Sequence, residues 1–163
     1  MPSRKPVVLP KPVLQEKGPY LFAGIREFQR FVDRAAIPEQ WQRFVPHVGV
    51  TPGQLGRSAY GVCLSSPVSE DGFDYLSAVQ VKSLDRIPEG LSGVRIDRRR
   101  YARFAHEGHV STIGATCAAI FETWQPPAGV VFQHDPMFLV EHYDETFDGA
   151  TGLGGMEVWV PIG

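Results

Sequence analysis

Two segments of this 163-residue chain carry the same apolar stripe at the same spacing. Ile37, Trp41, Phe44, Val45 and Val48 step by 4, 3, 1 and 3 residues, and Ile113, Cys117, Ile120, Phe121 and Trp124 repeat those steps. The period places each set on one side of an α-helix, so each segment predicts an amphipathic helix that must bury one face. Pro38 suits the first turn of the first helix, and Pro46 kinks or ends it. Ser111 stands where it can cap the second helix, and the QPPAG run at 125–129 terminates it. Residues 26–34 are compatible with a shorter helix ahead of the first.

The flanks of the two helices also match. PVLQEKGPYLFAG at 12–24 has two short apolar pieces around Gly18-Pro19 and predicts one strand with a bulge or bend. YGVCL at 60–64 and FDYLSAVQV at 73–81 predict strands joined by a turn at 67–72. After the connection at 87–90, the run 94–106 alternates, with Val94, Ile96, Tyr101 and Phe104 as its larger apolar members. Residues 137–143 and 156–162 predict two more strands, joined by a glycine-rich hairpin loop at 149–155.

The order strand, helix, strand, strand therefore occurs twice, once over about 10–85 and once over about 90–163. Tyr60-Gly-Val-Cys corresponds to Phe138-Leu-Val-Glu, and Gly-Pro-Tyr20 to Arg-Arg-Tyr101. The predicted fold class is α+β, a single domain over 1–163. Two pseudo-symmetric units pair into one antiparallel sheet with both helices on one side and a central cleft between them.

Charge narrows the partners. Sixteen basic and eighteen acidic residues leave a net charge of −2, too little positive field to hold a phosphate backbone or an anionic membrane. Arg95, Arg98, Arg99, Arg100 and Arg103 cluster on an alternating stretch and read as a solvated face. Cys63 and Cys117 lie in apolar runs with no CxxC partner, as small buried hydrophobes of a reducing compartment do. No signal-like apolar run opens the chain and no eighteen-residue apolar stretch follows, so the expected location is cytoplasmic.

YARFAHEG at 101–108, a helix ending in ETW at 122–124, FLVEHYDETF at 138–147 and MEVWVPI at 156–162 occur in that order. Together they resemble the GyrI-like (gyrase-inhibitor-like) small-molecule-binding family, specifically over 90–163 and by element order over 10–85. That family includes the gyrase inhibitor, effector domains of AraC-type and multidrug-responsive regulators, stand-alone binding proteins and hydrolases of cyclopropane-bearing natural products. The resemblance implies an acidic residue at the floor of an aromatic cleft, carried by the E-x-Y motif Glu141-His142-Tyr143, with Trp159 as an aromatic wall. No helix-turn-helix or winged-helix segment is recognisable, so a regulatory output is expected to need another protein.

On a strand, Leu139, Glu141 and Tyr143 project to one face. Alternation alone leaves that face solvent or cleft; the resemblance selects the cleft. The candidate ligand-binding residues are then Glu141, Tyr143, Trp159, Tyr75, Trp41, Phe44, Phe121 and Trp124, with the aromatics equally readable as core. His106, His109, His134 and His142 lack a fixed metal-ligand spacing and read as solvated turn histidines, so neither metal nor cofactor is expected. The loop at 149–155 precedes a strand and lacks the helix N-terminus of a phosphate loop. No nucleophile elbow is present.

The leading expectation is binding, without catalysis, of a lipophilic cation or aromatic drug-like molecule by a stand-alone module, for effector-dependent regulation or sequestration. Two alternatives stay open. One is hydrolysis of a strained electrophile, with Glu141 as general acid or base; the other is inhibition of a protein partner such as DNA gyrase. The sequence leaves the oligomeric state open, a homodimer included.

Overall fold

The computed structural model describes residues 7–163 and has an α+β architecture. Eight antiparallel strands form one sheet in the order β1-β6-β8-β7-β3-β4-β2-β5. The first unit comprises β1 (Val13–Lys17), β2 (Tyr20–Arg30), α1 (Ile37–Phe44), β3 (Ala59–Ser65) and β4 (Gly72–Gln80). The second comprises β5 (Ser92–Ile96), β6 (Arg99–Ala105), α2 (Ile113–Thr123), β7 (Met137–Tyr143) and β8 (Met156–Ile162). Exchanging each strand with its counterpart in the other unit reverses the sheet order onto itself. The order is therefore that of a pseudo-two-fold passing between β3 and β7.

Two expected strands are each split. The run at 12–24 divides at Gly18-Pro19 into β1 and the start of β2, and the run at 94–106 divides at Asp97-Arg98 into β5 and β6. Each break has a topological cause, because the first strand of each unit crosses to the other unit: β1 pairs with β6, and β5 with β2. Residues 26–30, which suited a helix in isolation, complete β2 instead. Pairing with β4 down to Arg30 fixes them as strand, tertiary context overriding a weak local preference.

The sheet is rolled. Tyr20 on β2 and Trp159 on β8 have ring centroids 6.1 Å apart, although β7, β3 and β4 lie between their strands. Four strand spacings in a flat sheet span about 19 Å, so only strong curvature brings these rings together. The concave face holds Tyr20, Phe22, Tyr60, Val62, Leu76, Val140 and Trp159, all buried without a covering helix. The other face carries both helices over Tyr75, Phe104, Leu139, Tyr143 and Val158.

Helix α1 is anchored by a polar residue inside its apolar stripe. Gln40 is fully buried and donates to the carbonyls of Ile25 on β2 and Tyr75 on β4, both at 2.8 Å, while accepting from Gln29 at 3.1 Å. A buried carbonyl without a donor is costly, so Gln40 ties the helix to the two strands beneath it.

Several expectations about single residues change in the structure. His106 is buried rather than solvated, its Nδ1 2.8 Å from Thr116 Oγ1 on α2, and His142 lies 2.9 Å from Ser58 Oγ. His109 and His134 are exposed. Arg103 is partly buried and paired with Glu157 at 2.8 Å, whereas Arg95, Arg98 and Arg100 are exposed. Cys63 is buried and Cys117 half-buried, both as free thiols. Among the described residues no helix is long and apolar enough to cross a membrane.

Replacing Gln40 by Ala is expected to destabilise the fold by roughly 1–3 kcal/mol, because two buried carbonyls lose their donor. Urea denaturation measures this. A change within about 0.5 kcal/mol, as for an ordinary surface site, would show that the apolar face alone holds α1.

Candidate functional site

The two middle strands meet in a register that opposes Gly61 on β3 to Glu141 on β7. Both positions face the helices, as do their neighbours Cys63, Leu139 and Tyr143. Glycine leaves a gap beside the carboxylate, and Tyr75 fills it from β4: its hydroxyl donates a very short hydrogen bond to Glu141 Oε1. A Cβ at position 61 would collide with both the Tyr75 hydroxyl and Glu141 Oε1. The absence of a side chain at 61 is what allows the pair to form.

Tyr143, two residues along β7, donates a second bond to the same oxygen at 3.1 Å. Trp41 on α1 donates from Nε1 to the Tyr75 hydroxyl at 2.9 Å and stands edge-on to Tyr143 at 5.4 Å. Glu141 as a residue keeps partial solvent access, while its carboxylate stands among the rings of Tyr75, Tyr143 and Trp41. Glu141, Tyr75, Tyr143 and Trp41 are the candidate residues that the structure brings together.

The other four lie elsewhere. Phe44 is fully buried and packs edge-on behind Trp41 at 6.0 Å. Trp124 packs against Phe104 at 5.2 Å, and Phe121 against Phe132 at 5.1 Å, both at the C-terminal end of α2. Trp159 pairs with Val140, one residue out of phase with Glu141, and points into the concave face on the opposite side of the sheet. Tyr75 and Trp159 occupy matching strands of the repeat, β4 and β8, but opposite faces.

Electrostatics distinguish this carboxylate from a surface one. Burial pushes the Glu141 carboxyl above its ordinary value, while the Tyr75 and Tyr143 hydroxyls and the Arg34 guanidinium act in the opposite sense. Burial first and the Glu141 charge second push the Tyr75 and Tyr143 hydroxyls well up, so both remain protonated donors. The thiols of Cys63 and Cys117 are raised chiefly by burial, then by Glu141, and are poor nucleophiles. Among the described residues no group of His, Cys, Asp and Glu is placed to hold a metal ion.

Three contributors were missed in the sequence. Gly61 gave no signal, since its role depends on which residue faces it across the sheet. Gln40 falls on the stripe Ile37, Gln40, Trp41, Phe44, where a polar residue on a buried face was the available clue. Arg34 belongs to the exposed turn before α1, and only the folded chain brings it near the carboxylate.

Comparison with known proteins bears on this geometry. Residues 14–162 match the family model for the integron-associated effector binding protein. No curated protein sequence matches at a significant level. Among solved structures, an integron cassette protein from the mobile metagenome of Vibrio cholerae is 13% identical, with a TM-score of 0.66 over 95% of this chain and 97% of that one. SAV2435, solved bound to tetraphenylphosphonium, is 17% identical, with a TM-score of 0.70 over 93% of each chain. The C-terminal domain of EcmrR is 13% identical, with a TM-score of 0.62 over 96% of this chain and 99% of that one. At such identities the likeness establishes the fold, which is the GyrI-like fold expected from sequence.

Substituting Gly61 by Ala is expected to cost about 1–3 kcal/mol by overpacking and to displace the Tyr75 hydroxyl from Glu141. Chemical denaturation and the near-ultraviolet tyrosine signal report the two effects. For Glu141 the folded-state pKa is raised, so its contribution to stability is fully present below the ordinary value of 4.5 and is lost as pH rises through the folded-state value. Glu141→Gln should therefore gain in melting temperature on wild type as pH rises from 4.5 to 8. A wild type that stays as stable as the variant at pH 8 would show that the tyrosines and Arg34 fully offset burial.

Proposed function

The chain belongs to the family of integron-associated effector binding proteins, and on that footing we propose that it binds lipophilic, cationic aromatic molecules in the recess above Glu141. The observation that carries this reading is the carboxylate of the partly exposed Glu141, held by Tyr75 and Tyr143 beside Trp41. Partial burial raises the free energy of the ionised form, and an arriving cation that excludes the remaining water would lower it again. The rings of Trp41 and Tyr143 offer cation–π and stacking contacts to the same ligand, each on the order of 0.5–2 kcal/mol once desolvated. Tetraphenylphosphonium, the ligand of SAV2435, has the chemistry expected here: one delocalised positive charge surrounded by phenyl groups.

In this reading Arg34 serves as an internal counter-charge in the empty protein, and a ligand cation competes with it for Glu141. The output is a change of partner or simple sequestration; direct nucleic-acid contact has no support from a net charge of −2. A second reading rests on the same carboxyl. A carboxyl of raised pKa hydrogen-bonded to two tyrosines can give a proton to the bond that opens in a strained electrophile or, when ionised, take one from the attacking water, as a hydrolase requires.

Titration of intrinsic tryptophan fluorescence with tetraphenylphosphonium and with neutral triphenylphosphine oxide tests the proposal, since Trp41 touches the recess. The cation is expected to saturate the signal, and Glu141→Gln to weaken it at least tenfold, about 1.4 kcal/mol, with little effect on the neutral compound. Equal affinity in wild type and variant would refute a charge-selective recess. Glu141-dependent consumption of a cyclopropane electrophile under the same conditions would establish the hydrolase reading instead.

A further inference from the structure

Beyond the Glu141 recess, four phenyl rings converge from four separate parts of the chain. Phe31 follows β2, Phe73 lies on β4, Phe121 on α2 and Phe138 on β7, and together they line an open-sided pocket of about 490 Å3. Their centroids are close: Phe31 to Phe73 at 5.3 Å, Phe73 to Phe138 at 5.5 Å, Phe31 to Phe138 at 6.1 Å. Phe121 adds a wall with His134, 6.4 Å between centroids. The volume is that of a small-molecule site.

We propose that this phenylalanine-lined pocket is a second binding site, taking a flat, uncharged aromatic molecule that carries a hydrogen-bond acceptor. Phe31 is 48% exposed at the mouth, an apolar surface that a flat ring would remove from water. Ser66 and Ser69 on the rim use their oxygens to accept from the backbone amides of Val68 and Asp71, which leaves both O–H groups free to donate. Glu70, exposed at the lip, disfavours an anionic ligand. The carboxylate in the lining therefore selects against acids, and the rings select for planarity.

The pocket is separate from the recess. None of Glu141, Tyr143, Tyr75 and Trp41 lines it. Phe73 pairs with Ser65, four residues along β3 from the Gly61 that faces Glu141, which places the two sites about 13 Å apart along the strand. Phe73 nonetheless stands edge-on to Tyr75, ring centroids 6.4 Å apart, so the two sites share one wall. The inference does not rest on the reading of Glu141.

The test is titration with 7-diethylamino-4-methylcoumarin, a neutral dye with a lactone carbonyl, whose emission rises and shifts to the blue on leaving water. Saturable binding is expected at one dye per chain, weakened at least tenfold by Phe31→Ala and by Phe121→Ala and unchanged by Glu141→Gln. Phe31 is half exposed, so its variant tests the site even where Phe121→Ala impairs folding. Absence of saturable binding, an affinity within twofold of wild type in Phe31→Ala, or loss of binding only in Glu141→Gln would each overturn the proposal. So would sedimentation that finds a dye-free dimer abolished by Phe31→Ala, since the pocket would then be a contact between two copies.

Discussion

The antiparallel register of β3 against β7 is the constraint on which the rest of the site depends. It lies beside the pseudo-two-fold, where the two units of the chain meet, and it opposes a glycine to a glutamate. With any side chain at 61, the Tyr75 hydroxyl could not reach the Glu141 carboxylate. A slip of one residue would send Glu141 into the concave face among Val62, Val140 and Trp159, where it would have no partner. The apolar packing of that face thus locks the register, and the register places the Glu141 carboxylate on the other side of the sheet.

Symmetry is preserved in the frame and broken in the chemistry. At the position of the second unit that carries Glu141, the aligned residue of the first unit is Cys63, an uncharged thiol in the same core layer. One carboxylate near the axis, rather than two, avoids the like-charge repulsion that would drive one of a pair to protonate. Tyr75 and Tyr143 come from different units and converge on a single oxygen, so both halves of the repeat are needed to hold it. The two donors and the nearby Arg34 oppose the upward push that burial exerts on the carboxyl.

The concave face explains how an eight-stranded sheet with helices on one side can be stable. Tyr20, Phe22, Tyr60, Tyr101 and Trp159 form a continuous aromatic cluster that the curvature of the sheet itself encloses. Lys17 and Arg103 lie over the Trp159 ring at 5.0 and 5.7 Å and shield its outer edge. Curvature thus does on this face what the helices do on the other.

The sequence by itself determined the architecture: two segments with identical apolar spacing, each between alternating runs, specify a doubled α+β unit because period and order are local properties, although α1 ends at Phe44 with Val45 exposed and Val48 beyond it. It also indicated Glu141 and Tyr143 through a recognisable motif, Tyr75 through a matching strand and Trp41 through its helical stripe, together with four aromatics that lie elsewhere. Tertiary structure alone decided which aromatics share a face with the carboxylate. Trp159 and Tyr75 look equivalent along the chain, yet pairing with Val140 turns one inward while pairing with Cys63 turns the other toward Glu141. The crossing of the first strand of each unit to the other unit, the gap at Gly61 and the partners of the buried Gln40 were likewise decided away from their own segments. Each depends on what stands across the sheet, and strand register is set by pairing between distant segments rather than by neighbours in sequence.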